Sequence, residues 1–207
     1  MNLSEQSWFN SKDSNHQKMK IDKNWEKVTF GSNIKLANLY SSSYLSAPGV
    51  FYNTGSKQNA VTSAKNPSTG DMWVVHSTRD KIVDRGAAVG CGDKIRLKST
   101  TDDIYLRSSI QNPSPLSNNQ EVCAFDGQDL GDEWIVECKD SGSKQWLREE
   151  AIKLKHAETK KYLQALSNKA YNRPIDGHME VSCSANPSKK ADSWAALDGY
   201  YFNIQTK

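Results

Sequence analysis

Long apolar runs are missing from this 207-residue chain: the longest, such as those at 122–125 and 194–197, reach only four residues. A helix that crosses a bilayer needs roughly twenty apolar residues in succession, so no segment spans a membrane in that way. An excess of one charge is missing too. The 27 Lys and Arg side chains face 24 Asp and Glu, the formal net charge is +3, and the signs alternate instead of forming basic blocks. Nucleic-acid binding therefore has little support. Cysteine is sparse, and Cys91, Cys123, Cys138 and Cys183 fit neither a dense disulfide scaffold nor the paired short spacings of a zinc site. The four histidines, His16, His76, His156 and His178, bear no common relation to one another. No Gly-x-Ser-x-Gly elbow, phosphate-cradling glycine loop or metal-spaced cluster accompanies them. The chain reads as non-catalytic, with no metal and no cofactor. The residues after Met1 are mostly polar, which leaves a cytosolic protein or one whose leader has been removed. The last residues, Ile204-Gln205-Thr206-Lys207, hold no Lys-Asp-Glu-Leu-like retrieval signal.

What is present is a threefold repeat. Ile34-Lys35-Leu36, Ile95-Arg96-Leu97 and Ile152-Lys153-Leu154 share the apolar, basic, apolar alternation of a half-buried strand. Eight residues past each leucine begin Tyr44-Leu45, Tyr105-Leu106 and Tyr162-Leu163. A third segment carries Val61, Val122 or Val181, and twelve or thirteen residues beyond each valine stands Trp73, Trp134 or Trp194. Gly, Pro, Asn and Asp punctuate these segments too often for helices. The pattern predicts an all-β chain in which three four-stranded units form a β-trefoil, a barrel with a hairpin cap whose closure removes exposed sheet edges. The trefoil is expected over 28–204, with units at approximately 28–84, 89–140 and 146–204. Each unit carries about six large apolar side chains, too few for a core of its own, so the three are expected to pool them. Residues 1–27 hold no copy of the pattern and read as a polar N-terminal extension, with Trp8-Phe9 and Trp25 as anchors and the sequon Asn2-Leu3-Ser4 within it.

Over 28–204 the wording of the repeats resembles the MIR domain of protein O-mannosyltransferases and intracellular calcium-release channels. Three segments carry the likeness furthest: 91–97 (Cys-Gly-Asp-Lys-Ile-Arg-Leu), 114–122 (Ser-Pro-Leu-Ser-Asn-Asn-Gln-Glu-Val) and 173–177 (Arg-Pro-Ile-Asp-Gly). They are similar to the endoplasmic-reticulum proteins related to stromal cell-derived factor 2. The resemblance implies a lumenal protein of the secretory pathway that works with chaperones on O-mannosylated or unfolded polypeptides, without catalysis of its own. Its implied partners are a lumenal chaperone or co-chaperone, a client polypeptide and a glycan. A secreted or surface lectin is the runner-up, and a cytosolic ligand-sensing module within a larger receptor is a third reading. Where relatives carry one cysteine pair, this chain has Phe30 and Val83. The other pair is present, and the resemblance implies a Cys91–Cys138 disulfide and an oxidising compartment. Cys123 and Cys183 follow the repeat valines, as buried free thiols or as a second disulfide.

In the family, loops after the Tyr-Leu pairs are thought to bind ligands, often through Leu-His-Ser-His. Here those stretches read Leu45-Ser46-Ala47-Pro48 and Leu106-Arg107-Ser108-Ser109, without histidine. Unit two keeps hydroxyls and adds a guanidinium, so Arg107, Ser108, Ser109, Asn118, Asn119, Gln120 and Glu121 form the candidate ligand face. The competing reading makes 117–120 a turn that bonds its own backbone, with Gln120 in a slot shared with Gln58 and His178. Trp146 lies outside the tryptophan register and is either an exposed platform or a cover for the barrel rim. Asp71, Asp132-Glu133 and Asp192 read as turns that precede the fourth strand of each unit.

Overall fold

The computed structural model describes residues 20–139, 142–187 and 190–203, so Trp8, Phe9 and the sequon lie outside it. Unit one contributes β1 (Asn33–Asn38), β2 (Ser43–Ser46), a third strand broken into β3 (Asn59–Ala60) and β4 (Thr62–Ala64), and β5 (Met72–Ser77). Unit two contributes β6 (Lys94–Ser99), β7 (Tyr105–Pro113), β8 (Gln120–Phe125) and β9 (Trp134–Cys138). Unit three contributes β10 (Ile152–His156), β11 (Tyr162–Ala170), β12 (Met179–Ser184) and β13 (Trp194–Tyr200). The pairings close on themselves. Antiparallel contacts run from β1 to β5, β6, β9, β10, β13 and back to β1, a ring made from the first and last strand of each unit. The hairpins β2–β4, β7–β8 and β11–β12 stand above the ring and join one another through β3–β8, β8–β12 and β12–β4. Barrel and triangular cap together are the β-trefoil. Among the described residues, no helix is long and apolar enough to cross a membrane.

The repeat residues fill one shared core. Ile34, Leu36, Leu45, Val61 and Trp73, with their counterparts in units two and three, are buried in a single cluster. Each barrel tryptophan donates its indole N–H to the carbonyl of the hairpin leucine: Trp73 to Leu45 at 3.0 Å, Trp134 to Leu106 at 2.9 Å and Trp194 to Leu163 at 2.9 Å. The tyrosines stand outside that cluster, Tyr105 buried and Tyr44 and Tyr162 half-buried. They lie on the outer wall beneath the middle residue of each triplet, Lys35 over Tyr44 at 5.6 Å, Arg96 over Tyr105 at 4.7 Å and Lys153 over Tyr162 at 5.0 Å. The alternation of the triplet thus sends Ile and Leu inward and a cation outward onto an aromatic face.

Trp146 is fully buried, which excludes an exposed platform, and it is in register after all. Eight residues before Leu36, Leu97 and Leu154 stand Val28, Val89 and Trp146. Their backbones close the barrel base in a cycle, with Val28 N–H donating to Trp146 O at 2.9 Å, Val89 to Val28 at 2.9 Å and Trp146 to Val89 at 2.8 Å. The indole hides the relation because the other two positions hold valine. Residues 20–27 run along this base: Asn203 donates to Asn24 O at 2.8 Å, and Arg148 N–H donates to Glu26 O at 2.7 Å. The Trp25 ring stays 42% exposed, so the backbone rather than the indole anchors this stretch.

Cys91 and Cys138 form a disulfide with Cα atoms 5.5 Å apart, tying the entry to unit two to the end of β9. Phe30 sits in the core and Val83 packs against it. Cys123 and Cys183 are free and buried, with burial pushing their thiols up to about 11 and about 12, so they do not form the second disulfide.

Candidate functional site

The candidate ligand face lies on the β7–β8 hairpin and its loop. Strand pairing places Arg107 opposite Cys123 and Ser108 opposite Val122. Successive residues of a strand point to opposite sides, so Arg107 turns outward and Ser108 inward. The Arg107 guanidinium grips Asp129, Nε to Oδ1 at 3.1 Å and Nη2 to Oδ2 at 2.6 Å, and stacks on Phe125 at 5.3 Å. That ion pair raises the Arg107 pKa and lowers that of Asp129.

Ser108, Gln120 and Glu121 are interior groups. Gln120 Nε2 donates to Ser108 Oγ at 2.8 Å and to Thr159 Oγ1 of unit three at 3.0 Å, while Ser108 Oγ donates to Glu121 O at 2.7 Å. The Glu121 carboxylate reaches into unit one and accepts Ser56 N–H at 3.2 Å. Desolvation raises its pKa. Asn118 is exposed with φ of 59° and Asn119 is half-buried, its amide 3.4 Å from Ser182 Oγ. Ser109 is half-exposed and accepts Gln111 N–H at 3.3 Å. Of the seven residues, Arg107, Ser109, Asn118 and Asn119 therefore reach the surface, and the other three hold the hairpin from beneath. Gln120 does not share its slot with Gln58 and His178. Cross-strand pairing of Gln120 with Cys183, Asn59 with Ala124 and Met179 with Ser63 makes Asn59 and Met179 its equivalents.

Three features escape a reading by residue type. Glu121 has a counterpart in Glu180, which accepts from Ser114 Oγ at 3.1 Å, Leu116 N–H at 2.6 Å and Ser117 N–H at 3.2 Å. Each carboxylate clasps the loop of the preceding unit, and Ala60 leaves unit one without such a clasp. His156 is buried and donates from Nε2 to Gly131 O at 3.0 Å, as Asn38 Nδ2 donates to Ala191 O at 2.7 Å; these residues stand two after their triplet leucines. Burial lowers the His156 pKa, and Nδ1 pairs with Thr159 Oγ1 at 2.9 Å. Asp132 lies in the 3₁₀ turn Leu130–Asp132 with both carboxylate oxygens buried and unpartnered, and burial raises its pKa to about 6. Among the described residues, no three His, Cys, Asp or Glu side chains converge as a metal site.

No family model matches the chain. A stromal cell-derived factor 2-like protein of Dictyostelium discoideum is 38% identical over 185 residues, covering 86% of this chain and 85% of that protein. Stromal cell-derived factor 2 of Homo sapiens is 33% identical over 178 residues, covering 84% and 82%. The chain belongs to the stromal cell-derived factor 2 family. The crystal structure of the SDF2-like protein from Arabidopsis thaliana superposes with a TM-score of 0.82 at 29% identity, over 87% of this chain and 99% of that one. A protein O-mannosyltransferase complex of S. cerevisiae bound to the sugar donor matches with a TM-score of 0.77 at 23% identity, over 92% of this chain and 28% of that one, and this likeness concerns the fold. In this chain Cys91 and Cys138 are disulfide-bonded, while Phe30 lies in the core and Val83 packs against it.

Proposed function

We propose that this chain is a non-catalytic binding module of the endoplasmic-reticulum lumen, associated with chaperones and the quality control of secretory or O-mannosylated proteins. Membership of the stromal cell-derived factor 2 family carries the reading, and the Cys91–Cys138 disulfide supports an oxidising compartment. On this reading 28–204 is one module, the partners are a lumenal chaperone or co-chaperone and a client polypeptide, and the polar rim of unit two is the ligand face. Arg107, Ser109, Asn118 and Asn119 present donors at its surface, with Ser108, Gln120 and Glu121 as its support.

The reading is tested by purifying the chain from its native source. Co-purification with a lumenal chaperone, silent glycan arrays and a Cys91–Cys138 crosslink in non-reducing mass spectrometry are expected. Two free thiols at 91 and 138 in native material would overturn the lumenal assignment. The polar groups of that rim favour a second reading, a secreted or surface lectin. Glycan-array binding that Arg107→Ala abolishes would select it, because the guanidinium hydrogens that Asp129 does not take can donate to sugar hydroxyls.

A further inference from the structure

The three units place a cation and a tyrosine at equivalent points on the barrel wall and differ in what balances the charge. In unit three, Lys153 and Lys155 flank Tyr162 at 5.0 and 5.3 Å from its ring centre. Both are neutralised, Lys155 by Glu137 at 3.1 Å and Lys153 by Asp192 at 2.7 Å. In unit one the place of Lys155 is held by Ala37 and that of Glu137 by Leu197, which pack with Tyr44 as an apolar patch. Unit two keeps the cations, Arg96 and Lys98 at 4.7 and 5.8 Å from the Tyr105 ring centre, and loses the carboxylate that Glu137 supplies. His76 stands across from Arg96 in the ladder as Glu137 stands across from Lys153, and its ring meets Tyr105 edge-on at 6.0 Å. The counterpart of Asp192 is Asp132, which lies near enough for the charge of Arg96 to lower its pKa but makes no ion pair with it.

Arg96 is the cation left without an ion pair. It is 7% exposed, gives Nε–H to Ser77 O at 2.9 Å and Nη1–H to Gln128 Oε1 at 3.1 Å, and has no carboxylate in ion-pair range among the described residues. A guanidinium largely out of water without a counter-charge is unfavourable. Among the described residues, the acid in direct contact with the cluster is Asp103 on Lys98, whose side chain is 79% exposed. Burial first, then the charges of Arg96, Lys98 and Arg85, hold the His76 pKa low, against a smaller opposing effect of Asp103. Arg107, the other guanidinium of the unit, is already occupied by Asp129.

We propose that Arg96, Lys98, His76 and Tyr105 form a site for a carboxylate from outside the chain, an Asp or Glu side chain of an acidic peptide segment, in the place that Glu137 fills in unit three. The carboxylate would lie between the guanidinium, which offers a fork of donors, and the ammonium. The site uses none of the Arg107–Glu121 face and does not depend on the compartment assigned above.

The test is NMR of the His76 and Tyr105 rings in the full chain during titration with acetyl-Asp-Glu-Asp-Glu-amide, with acetyl-Asn-Gln-Asn-Gln-amide and inorganic phosphate at matched ionic strength as controls. Saturable shifts at both rings and a rise in the His76 pKa are expected with the acidic peptide alone. Arg96→Gln should weaken binding about tenfold or more. His76→Glu supplies the carboxylate from within the chain, so it should keep the fold, leave thermal stability equal or higher, and abolish peptide binding. Unmoved rings, an equal response to phosphate, or undiminished peptide binding by a folded His76→Glu variant would each overturn the assignment.

Discussion

Asp132 shows how one substitution between units changes the energetics of a conserved position in the repeat. Its counterpart Asp71 accepts Ser68 N–H and, at 2.9 Å, Ser68 O–H, closing a cap on the turn Thr69–Asp71. In unit two Asp129 stands where Ser68 does and turns to Arg107 and Gly131 N–H, so Asp132 lacks the hydroxyl donor that Asp71 has. Burial raises its pKa from 3.8 to about 6, so the folded state holds a proton that the unfolded state has lost. Stability attributable to this group is therefore present below about pH 4 and is lost as pH rises through about 6. Asp132→Asn should stabilise the chain by about 2–3 kcal/mol at pH 7.5 and by almost nothing at pH 4, as read by urea denaturation at the two values. His156 works in the other direction. Its pKa is lowered in the fold, so its contribution is complete above the unfolded value of about 6.5 and is lost as pH falls. His156→Gln should flatten the acid limb of the stability profile below about pH 6.5, while leaving the alkaline limb unchanged.

The cap hairpins are held to one another by side chains from neighbouring units. Glu180 satisfies four donors of the loop at 114–117, so Glu180→Ala should cost about 2–4 kcal/mol, because buried donors lose a charged acceptor together. Hydrogen exchange at Leu116 and Ser117 should accelerate in that variant before exchange elsewhere does. The triplets, the hairpin leucines and the barrel tryptophans could be read from the sequence because each recurs as the same residue type at nearly constant spacing. The clasps could not, since Glu121 and Glu180 act on the loop before their own unit and Ala60 breaks the pattern. Trp146 was obscured by residue type, sharing its slot with Val28 and Val89. The ligand face was half legible: side-chain type pointed to Arg107, Ser108 and Gln120 alike, but strand alternation turns Ser108 inward and the neighbouring cap strands cover Gln120.

At the scale of the molecule, ring and cap each close through all three units, and the domain is expected to unfold in one transition. Thermal unfolding followed by tryptophan fluorescence and by far-ultraviolet circular dichroism should give the same midpoint. Reduction of Cys91–Cys138 frees a loop of 47 residues and should lower stability by about 2–4 kcal/mol without splitting that transition. Trp146→Ala removes the largest side chain at the barrel base and should cost about 3–5 kcal/mol, more than Val28→Ala or Val89→Ala at the equivalent places.

The cyclic bond set at the base carries a consequence for synthesis. Val28 takes its acceptor from residue 146, and β1 pairs with a strand that ends at Tyr200, so the first unit stays open-edged until β13 has left the ribosome. A nascent chain arrested before β13 should remain sensitive to protease, and the emergence of that strand is the moment at which the first strand finds its last neighbour.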